Sequence, residues 1–264
     1  MKKIIIITFL IYVFLLCQTS CKNHTPELSN ENSFIDSIST KSNESVPLNN
    51  NNNNNFDTIN NTQITYLIDV KICNQIWAIK NLDVSTYRNG DPIPKITDND
   101  EWLALRTGAY CYYNNDSVTY AAIYGKLYNG YAVTDPRGLA PEGWHIPSNI
   151  EWQTLITCLG GSAVAGEKMK ESGKAHWAYN TISTNSSGWT GLPGGHRSPN
   201  YGQFDNIEIK GHWWSSNVNN KTGELGFRTL LYDENYIGAR GTSNENDQSF
   251  GFSVRCLRDS IAPQ

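Results

Sequence analysis

Histidine and cysteine are the residues of this sequence whose side chains could act as bases, nucleophiles or metal ligands. The histidines at positions 176, 196 and 212 lack metal-ligand spacing, and the chain contains neither an HExxH motif nor paired CxxC motifs. No metal site is therefore expected from histidine and cysteine spacing. The Trp-His-Ile-Pro run around His145 favours a structural hydrogen-bonding role for that residue over the role of a base.

Tryptophan offers a second kind of chemistry, because an indole face suits the apolar face of a sugar ring. The candidate ligand-binding residues are Trp189, Trp213 and Trp214, with His196 and Arg197 of the glycine-rich loop. Adjacent Trp213 and Trp214 would face opposite sides of a strand, which would leave one of them exposed. Trp144 and Trp152 could extend such a platform, and the favoured alternative is that all five tryptophans form a packed aromatic core.

The stretch from 138 to 161 predicts the element that organises these residues. It reads as a turn, a short strand at 144–146 and a helix that begins after Pro147. Ser148 and Glu151 have the spacing of a capping box. An apolar stripe of Ile150, Trp152, Leu155, Ile156 and Leu159 predicts that this helix packs on the core, and Gly160-Gly161 predicts its end.

The other predicted elements are few helices and several short strands. Residues 64–70 and 71–79 predict an opening hairpin, and residues 163–170 predict a second helix. Further strands are predicted at 109–114, 227–232 and 250–257, with a turn at 114–116. The pattern is that of an α+β fold with short antiparallel strands and long ordered loops.

The first part of the chain is not globular in composition. A basic start, an apolar run from 4 to 16 and small residues before Cys21 resemble a lipoprotein signal peptide at 1–20, which implies acylation of the Cys21 thiol. Gln18 departs from the usual pattern, so a plain secretory signal is the alternative. Residues 21–62, with the asparagine run at 49–55, predict a disordered tether before a domain at 63–259 and a tail at 260–264.

The net charge of −4 and the pI near 5.7 give no basic surface for binding nucleic acid, which is not expected as a partner. We expect the lipid anchor to hold the protein to a membrane of the cell envelope. The predicted location is the outer membrane, on its periplasmic or its cell-surface face.

Removal of Cys17 with the signal and use of Cys21 for lipid leave four cysteines, at positions 73, 111, 158 and 256. An exported protein can form disulfides, and four cysteines allow three full pairings among which the sequence does not choose. A Cys-His nucleophile formed by Cys111 or Cys158 with His145 is an alternative. Apolar neighbours on a helix predict that Cys158 is buried and inert, and we expect no catalysis.

Seven segments carry a family resemblance in their order and spacing. They are IWAIKNLDVSTYRNGDPIP, YGKLYNGYAV, APEGWHIPSNIEWQTL, LGGSAVAGEKMKESG, GLPGGHR, HWWSS and GFSVRCLRD. Together they resemble the Fibrobacter succinogenes major paralogous domain over nearly all of 72–259. The Trp-His-x-Pro segment is similar to one in formylglycine-generating enzymes, and the tryptophan-rich second half is similar to C-type lectin-like domains. The resemblance implies a C-type lectin-like fold; fold alone does not imply function.

The resemblance also bears on the cysteines and on calcium. The family often has cysteine where this chain has Ala140, and glycine where it has Cys73, so a disulfide between Cys73 and Cys256 is the implied replacement. Buried free thiols are the alternative. C-type lectins proper hold calcium and sugar through carboxylates and amides. The candidate calcium ligands here are Asn185, Asp205, Asn206, Glu208, Asp233, Glu234, Asn235 and residues 244–247, although the lectin signatures Glu-Pro-Asn and Trp-Asn-Asp are absent from the sequence.

Three hypotheses for function follow. The first is a lipid-anchored module that binds a glycan or an envelope protein, without catalysis and without a cofactor other than calcium. The second is a structural surface protein that takes no small ligand. The third is a degenerate relative of formylglycine-generating enzymes. An exposed tryptophan beside an open polar cleft would favour the first hypothesis. Burial of all five tryptophans would favour the second, and a solvent-accessible cysteine pair the third.

Overall fold

The structure is a computed structural model that describes residues 67–179, 182–219, 221–242 and 248–260. All of these belong to one compact unit that begins at Asn61. The predicted signal peptide, Cys21, the tether and the calcium candidates at 244–247 lie outside the described residues. Within the described ranges, no helix has the length and apolar character needed to cross a membrane.

The N-terminal hairpin and the C-terminal strand share a sheet. Among the described residues its strand order is β1-β2-β11-β5, formed by Asp69–Ile72, Gln75–Ala78, Leu257–Arg258 and Trp144–His145. The predicted opening hairpin is confirmed, but its turn lies at 73–74 instead of the predicted boundary at 70–71, and Cys73 is in the left-handed region at that turn (φ 52°). The predicted strand at 250–257 is mostly wrong. Residues 251–253 form isolated bridges to Tyr128, Arg197 and Trp213, and regular pairing of this segment starts only at Leu257.

A second, mixed sheet holds most of the C-terminal half. Its order in the described chain is β10-β9-β8-β6-β7, with β6 at Gly194–Arg197, β7 at Phe204–Ile207, β8 at Lys210–Val218, β9 at Leu225–Leu231 and β10 at Ile237–Gly241. Its pairs are antiparallel except β6 with β8. Between Trp214 and Val218 the register of β8 against β9 shifts, which marks a bulge. A small sheet pairs β3 (Tyr110–Cys111) with β4 (Leu127–Tyr128).

The helices are short, and α4 is the organising element that the sequence predicts. They are α1 (Asn99–Ala104), α2 (Ser117–Tyr124), α3 (Gly130–Val133), α4 (Asn149–Cys158) and α5 (Ser162–Met169), with a 3-10 turn at Tyr113–Asn115. The capping box of α4 is confirmed, since Ser148 Oγ accepts from Glu151 N–H and Glu151 Oε2 accepts from Ser148 N–H. The buried stripe begins at Trp152, because Ile150 lies on the solvent side of the first turn and is 77% exposed.

The predicted helix α5 is also confirmed, with a shift of one residue at each end. Helix α2 is not predicted by the sequence pattern. The predicted turn at 114–116 exists as a 3-10 turn, and Asp116 Oδ1 then caps α2 by accepting from the N–H groups of Val118 and Thr119. The α+β class is correct, with few helices and mixed or antiparallel sheets.

Strand β8 separates two hydrophobic clusters. Trp213 packs on the side of α4 and α5 with Trp77, Trp152 and Trp189, whereas Trp214 packs on the other side with an aromatic group that includes Phe252. The prediction that the two neighbours face opposite sides is therefore confirmed. Both sides are covered, however, and neither indole is exposed.

Candidate functional site

The five tryptophans considered for a sugar-stacking platform are all buried, so the platform is wrong and the alternative of a packed aromatic core is confirmed. Trp144 is 5% exposed and the other four are fully enclosed. The rings contact one another, as Trp189 and Trp213 do at 4.9 Å between centroids. The indole N–H of Trp213 donates to Asn81 Oδ1 (2.9 Å), and that of Trp214 donates to Tyr128 O (2.8 Å). Most of their surface and two of their polar groups are thus used inside the fold.

Arg197 is likewise structural and does not lie at a ligand site. Its fully buried guanidinium donates to the carbonyl oxygens of Gly202 (2.8 Å), Ile96 (2.7 Å) and Asp98 (2.9 Å). It also lies 4.5 Å from the centre of the Trp102 ring. The residue therefore fastens the loop before α1 to strand β6.

His196 points into a group of rings. Its ring lies 5.2 Å from that of His212 and 5.9 Å from that of Phe250, and burial lowers the pKa of both histidines, that of His212 well below its ordinary value. Both rings are therefore neutral at pH 7. This packing does not fit the predicted role of His196 in contacting a ligand.

The disulfide predicted between Cys73 and Cys256 is also wrong. Cys73 is bonded instead to Cys158, with 6.7 Å between their Cα atoms. The exposed hairpin turn lies against the exposed C-terminal end of α4, so the expectation that Cys158 is buried is wrong as well. Cys256 and Cys111 are buried free thiols, and burial raises the pKa of each to about 12, which makes both unreactive.

His145 has the structural surroundings that its sequence context predicts. Its Nε2 lies 2.8 Å from Glu151 Oε1, and its Nδ1 lies 2.6 Å from Asp259 Oδ1. Both ring nitrogens are engaged by carboxylates, so neither is left to activate a nucleophile. The residue links the capping box of α4 to the end of the domain.

The candidate calcium ligands in the described residues do not come together as a site. They are divided among the loop before β6, the β7 region and the β9–β10 turn, and Asn185 uses its amide to bond Thr190. Among the residues that the structure describes, no group of three or more histidine, cysteine, aspartate or glutamate side chains is placed to hold a metal ion.

A polar cleft of about 400 Å³ lies where the start of α4 meets the ends of β8, β9 and β10. Its lining residues are Asn149, Asn217, Val218, Asn219, Glu224, Gly226, Arg228, Ala239, Arg240 and Gly241. None of them was a candidate from the sequence. We call this site the α4 cleft.

The floor of the α4 cleft is made of small residues on one face of the sheet. Gly226 pairs with Gly241, and Arg228 pairs with Ala239, so the two strands present these residues on the same side. A Cβ at Gly226 would lie 2.8 Å from Asn149 Oδ1, whereas a Cβ at Gly241 would lie 3.8 Å from Glu224 Oε2. Arg240 pairs with Phe227 and so directs its side chain to the other face.

The bulge in β8 supplies one wall. It carries Asn217 to the start of α4, where Asn217 Oδ1 accepts from the N–H of Asn149. Arg228, 4% exposed, supports Asn149 from below by donating from Nη1 to Asn149 Oδ1 (3.0 Å). The amide of Asn149 is thereby fixed with its Nδ2 group free.

Several polar groups of the α4 cleft have no partner within the protein. In the described part of the chain, the Nδ2 groups of Asn149, Asn217 and Asn219 donate no hydrogen bond, and the Glu224 carboxylate accepts none and forms no ion pair. The cleft thus offers three amide donors and one anionic acceptor around a floor with little side-chain bulk. The sequence signal for this cleft is the presence of Gly226 and Gly241 within strands, because glycine in a strand often marks the close approach of a backbone or a ligand.

The comparisons with known proteins identify the family. The model of the Fibrobacter succinogenes major domain matches residues 70–258, and the chain belongs to that family. No curated protein and no solved structure matched the chain.

Proposed function

We propose that this protein is a binding module of the cell envelope, without catalysis, and that the α4 cleft is its ligand site. The observation that carries the proposal is the set of polar groups in that cleft that have no partner in the described residues, around a floor of glycine and alanine. Arg228 Nε, a buried atom of a lining residue, has no partner in the described residues, although buried polar groups are normally satisfied inside a fold. The amides of Asn149, Asn217 and Asn219 are exposed and Glu224 is half-buried, so these groups are open to a ligand. Convergent polar groups left free in a concave site are typical of ligand recognition.

The proposal includes an extracytoplasmic location and a lipid anchor at Cys21. The Cys73–Cys158 disulfide supports export, because disulfides persist in oxidising compartments. The outer membrane, on either face, is the proposed location, and a glycan or an envelope protein is the proposed partner. A C-type lectin-like relationship is proposed for the fold on the resemblance of its second half alone.

The proposed absence of catalysis is supported by the thiols. The free cysteines of the described residues, Cys111 and Cys256, are both enclosed and held in the thiol form by burial. Formylglycine-generating enzymes work through a reactive cysteine pair. Two enclosed thiols do not provide such a pair, which argues against that activity here. An alkylation assay on the native protein would check it, since labelling of Cys111 or Cys256 before unfolding would contradict this part of the proposal.

Retention on envelope material tests the binding function. The full chain, purified in detergent, would be applied to immobilised cell-envelope fractions as wild type and as Gly241→Leu, which fills the floor of the α4 cleft. Glu234→Leu is the control, because it introduces the same side chain at an exposed position of the turn between β9 and β10 that is not part of the cleft lining. We expect retention of the wild type and of the control, with loss for Gly241→Leu. Equal retention of all three proteins would contradict the α4 cleft as the site.

A structural surface protein without a small ligand is the second candidate function. The burial of all five tryptophans favours it, because it removes the aromatic platform that a sugar-binding surface would use. Failure of every envelope fraction to retain the wild type would make this candidate the better one.

The lipid anchor has a separate test. Metabolic labelling with an alkyne fatty acid should mark the wild type and leave Cys21→Ser unlabelled. Equal labelling of both proteins would contradict acylation at Cys21, and a soluble mature wild type without label would favour the plain secretory signal.

A further inference from the structure

We infer that the α4 cleft binds a neutral, hydroxyl-rich sugar through direct hydrogen bonds to amide and carboxylate groups, without aromatic stacking and without a metal. This inference rests on the proposed function and names the class of ligand. Its basis is the chemistry of the groups that the cleft leaves free.

The free groups match hydroxyls. A hydroxyl both donates and accepts hydrogen bonds, so neighbouring hydroxyls of a sugar are satisfied by a mixture of N–H donors and oxygen acceptors. The α4 cleft presents such a mixture: the Nδ2 groups of Asn149, Asn217 and Asn219 are donors, and the Glu224 carboxylate is an acceptor. All four side chains carry planar polar groups.

An anionic ligand fits the cleft less well. The Glu224 carboxylate shares the site and repels a second negative charge. The guanidinium of Arg228 is buried, and its Nη1 donates to Asn149 Oδ1 and to Phe227 O (3.2 Å), so it serves as a support for Asn149. The side chain of Arg240 faces the other side of the sheet.

An extended peptide also fits less well. Peptides that bind along a sheet pair with an edge strand and place side chains in apolar pockets. The edge strand β10 does line the α4 cleft, but the apolar side chains of the lining are those of Val218 and Ala239, which offer little surface for the side chains of a peptide. Its volume of about 400 Å³ is near the lower end for ligand sites and suits a small group such as the terminal residue of a glycan.

The floor explains how a sugar would fit without an aromatic platform. Ala239 and Gly241 leave the backbone of β10 nearly bare, so a ring can lie directly against it, whereas the space over Gly226 is occupied by the Asn149 amide. Arg228 Nη1 donates to the side-chain Oδ1 of Asn149, and Asn217 Oδ1 accepts from the backbone N–H of the same residue. The amide is therefore positioned before any ligand arrives, which lowers the entropic cost of binding.

A saccharide array followed by titration tests the inference. The array would carry neutral mono- and oligosaccharides of glucose, galactose, mannose and N-acetylglucosamine, with uronate oligosaccharides as the acidic arm and a panel of extended peptides beside them. The full chain in detergent would be applied with calcium and again with EDTA. We expect binding to neutral sugars that persists in EDTA.

The best neutral sugar would then be titrated into variants and into ¹⁵N-labelled wild type. Glu224→Gln should weaken binding about tenfold, because it replaces a charged acceptor. Glu234→Gln, an exposed glutamate of the β9–β10 turn, is the matched control and should bind as the wild type does. The side-chain amide signals of Asn149, Asn217 and Asn219 should shift on addition of the sugar.

The remaining outcomes separate this inference from the proposed function. Binding to uronates or peptides that Gly241→Leu abolishes would overturn the inference and keep the α4 cleft as the site. Sugar binding that requires calcium, or that shifts none of the three amide signals, would also overturn it. Retention on envelope material without binding on the array would overturn the inference that the ligand is a sugar and would favour a protein partner. Loss of both kinds of binding would overturn the inference and the proposed function together.

Discussion

Two buried arginines of this domain have opposite surroundings, and the contrast separates scaffold from site. Arg255, in the last of the family segments, is fully enclosed and donates to Asn81 Oδ1 (2.9 Å), Ile79 O (2.8 Å) and Trp189 O (2.6 Å). Arg228, outside those segments, is almost as buried, yet its Nε has no partner in the described chain and its neighbours include the free groups of the α4 cleft. The segments that identify the family therefore hold the fold, while the candidate site lies largely between them.

The largest loss of stability is expected at Arg255, whose guanidinium has hydrogen-bond partners on every side. Arg255→Met should lower the free energy of unfolding by about 3–4 kcal/mol, because the buried carbonyl oxygens of Ile79 and Trp189 lose the guanidinium as their donor. Asn81 Oδ1 also loses a donor but keeps the indole N–H of Trp213. Urea denaturation followed by tryptophan fluorescence measures the change. Arg240→Met, at an exposed position, is the control and should change stability by less than about 0.5 kcal/mol. Equal losses of stability in the two variants would contradict the structural role given to the buried guanidinium of Arg255.

The disulfide is expected to have the next largest effect. Cys73→Ser, Cys158→Ser and the double variant should each lower the free energy of unfolding by about 2–4 kcal/mol, because the bond closes a loop between residues 85 apart. Denaturation with and without dithiothreitol measures this effect. The three variants should be equally stable and insensitive to the reductant. An additional loss on reduction of the double variant would indicate a different pairing, such as one that uses Cys256.

The two neighbouring histidines, His196 and His212, predict that the stability of the fold depends on pH. Burial lowers the pKa of His212 well below 6.5 and also lowers that of His196, while Lys210 and Arg240 add positive charge near His212. The unfolded chain therefore binds more protons below pH 6.5 than the folded chain does. Stability should be unaffected by these groups above that pH and should fall as the pH decreases below it, by at most about 1.4 kcal/mol per pH unit for each proton.

Urea denaturation between pH 7.5 and 5 measures this slope. His212→Phe removes one of the two groups and should flatten the curve, although it loses the contact of Nδ1 with Thr229 Oγ1 at every pH. His176→Gln, on a partly exposed histidine, is the control. An unchanged slope in His212→Phe would show that the acid sensitivity arises elsewhere.

Local signals explain which parts of the fold were predictable. The capping box at Ser148 and Glu151, the stripe from Trp152 and the glycine pair at 160–161 lie within fourteen residues, so neighbouring residues decide helix α4. The Cys73–Cys158 pairing depends on how a distant hairpin packs against that helix. The α4 cleft depends on a two-residue excess in β8 and on the pairing of Gly226 with Gly241, which no periodicity in the sequence encodes. Burial of both Trp213 and Trp214 follows from covering elements on both sides of β8.

The smallest expected effect on stability belongs to the site itself. In Gly226→Ala the new methyl group would meet Asn149 Oδ1 at 2.8 Å, so the amide must move from its place on Arg228. The change should alter the free energy of unfolding by no more than about 1 kcal/mol, because alanine also reduces the entropy of the unfolded chain. Retention on envelope fractions should nevertheless fall markedly, since the displaced amide belongs to the α4 cleft. Gly241→Ala, whose methyl group would meet Glu224 only at 3.8 Å, should retain more binding. A Gly226→Ala protein that loses stability but keeps its binding would contradict this prediction. It would show that Asn149 and its partner Arg228 stabilise the fold, as Arg255 does, and do not form a ligand site.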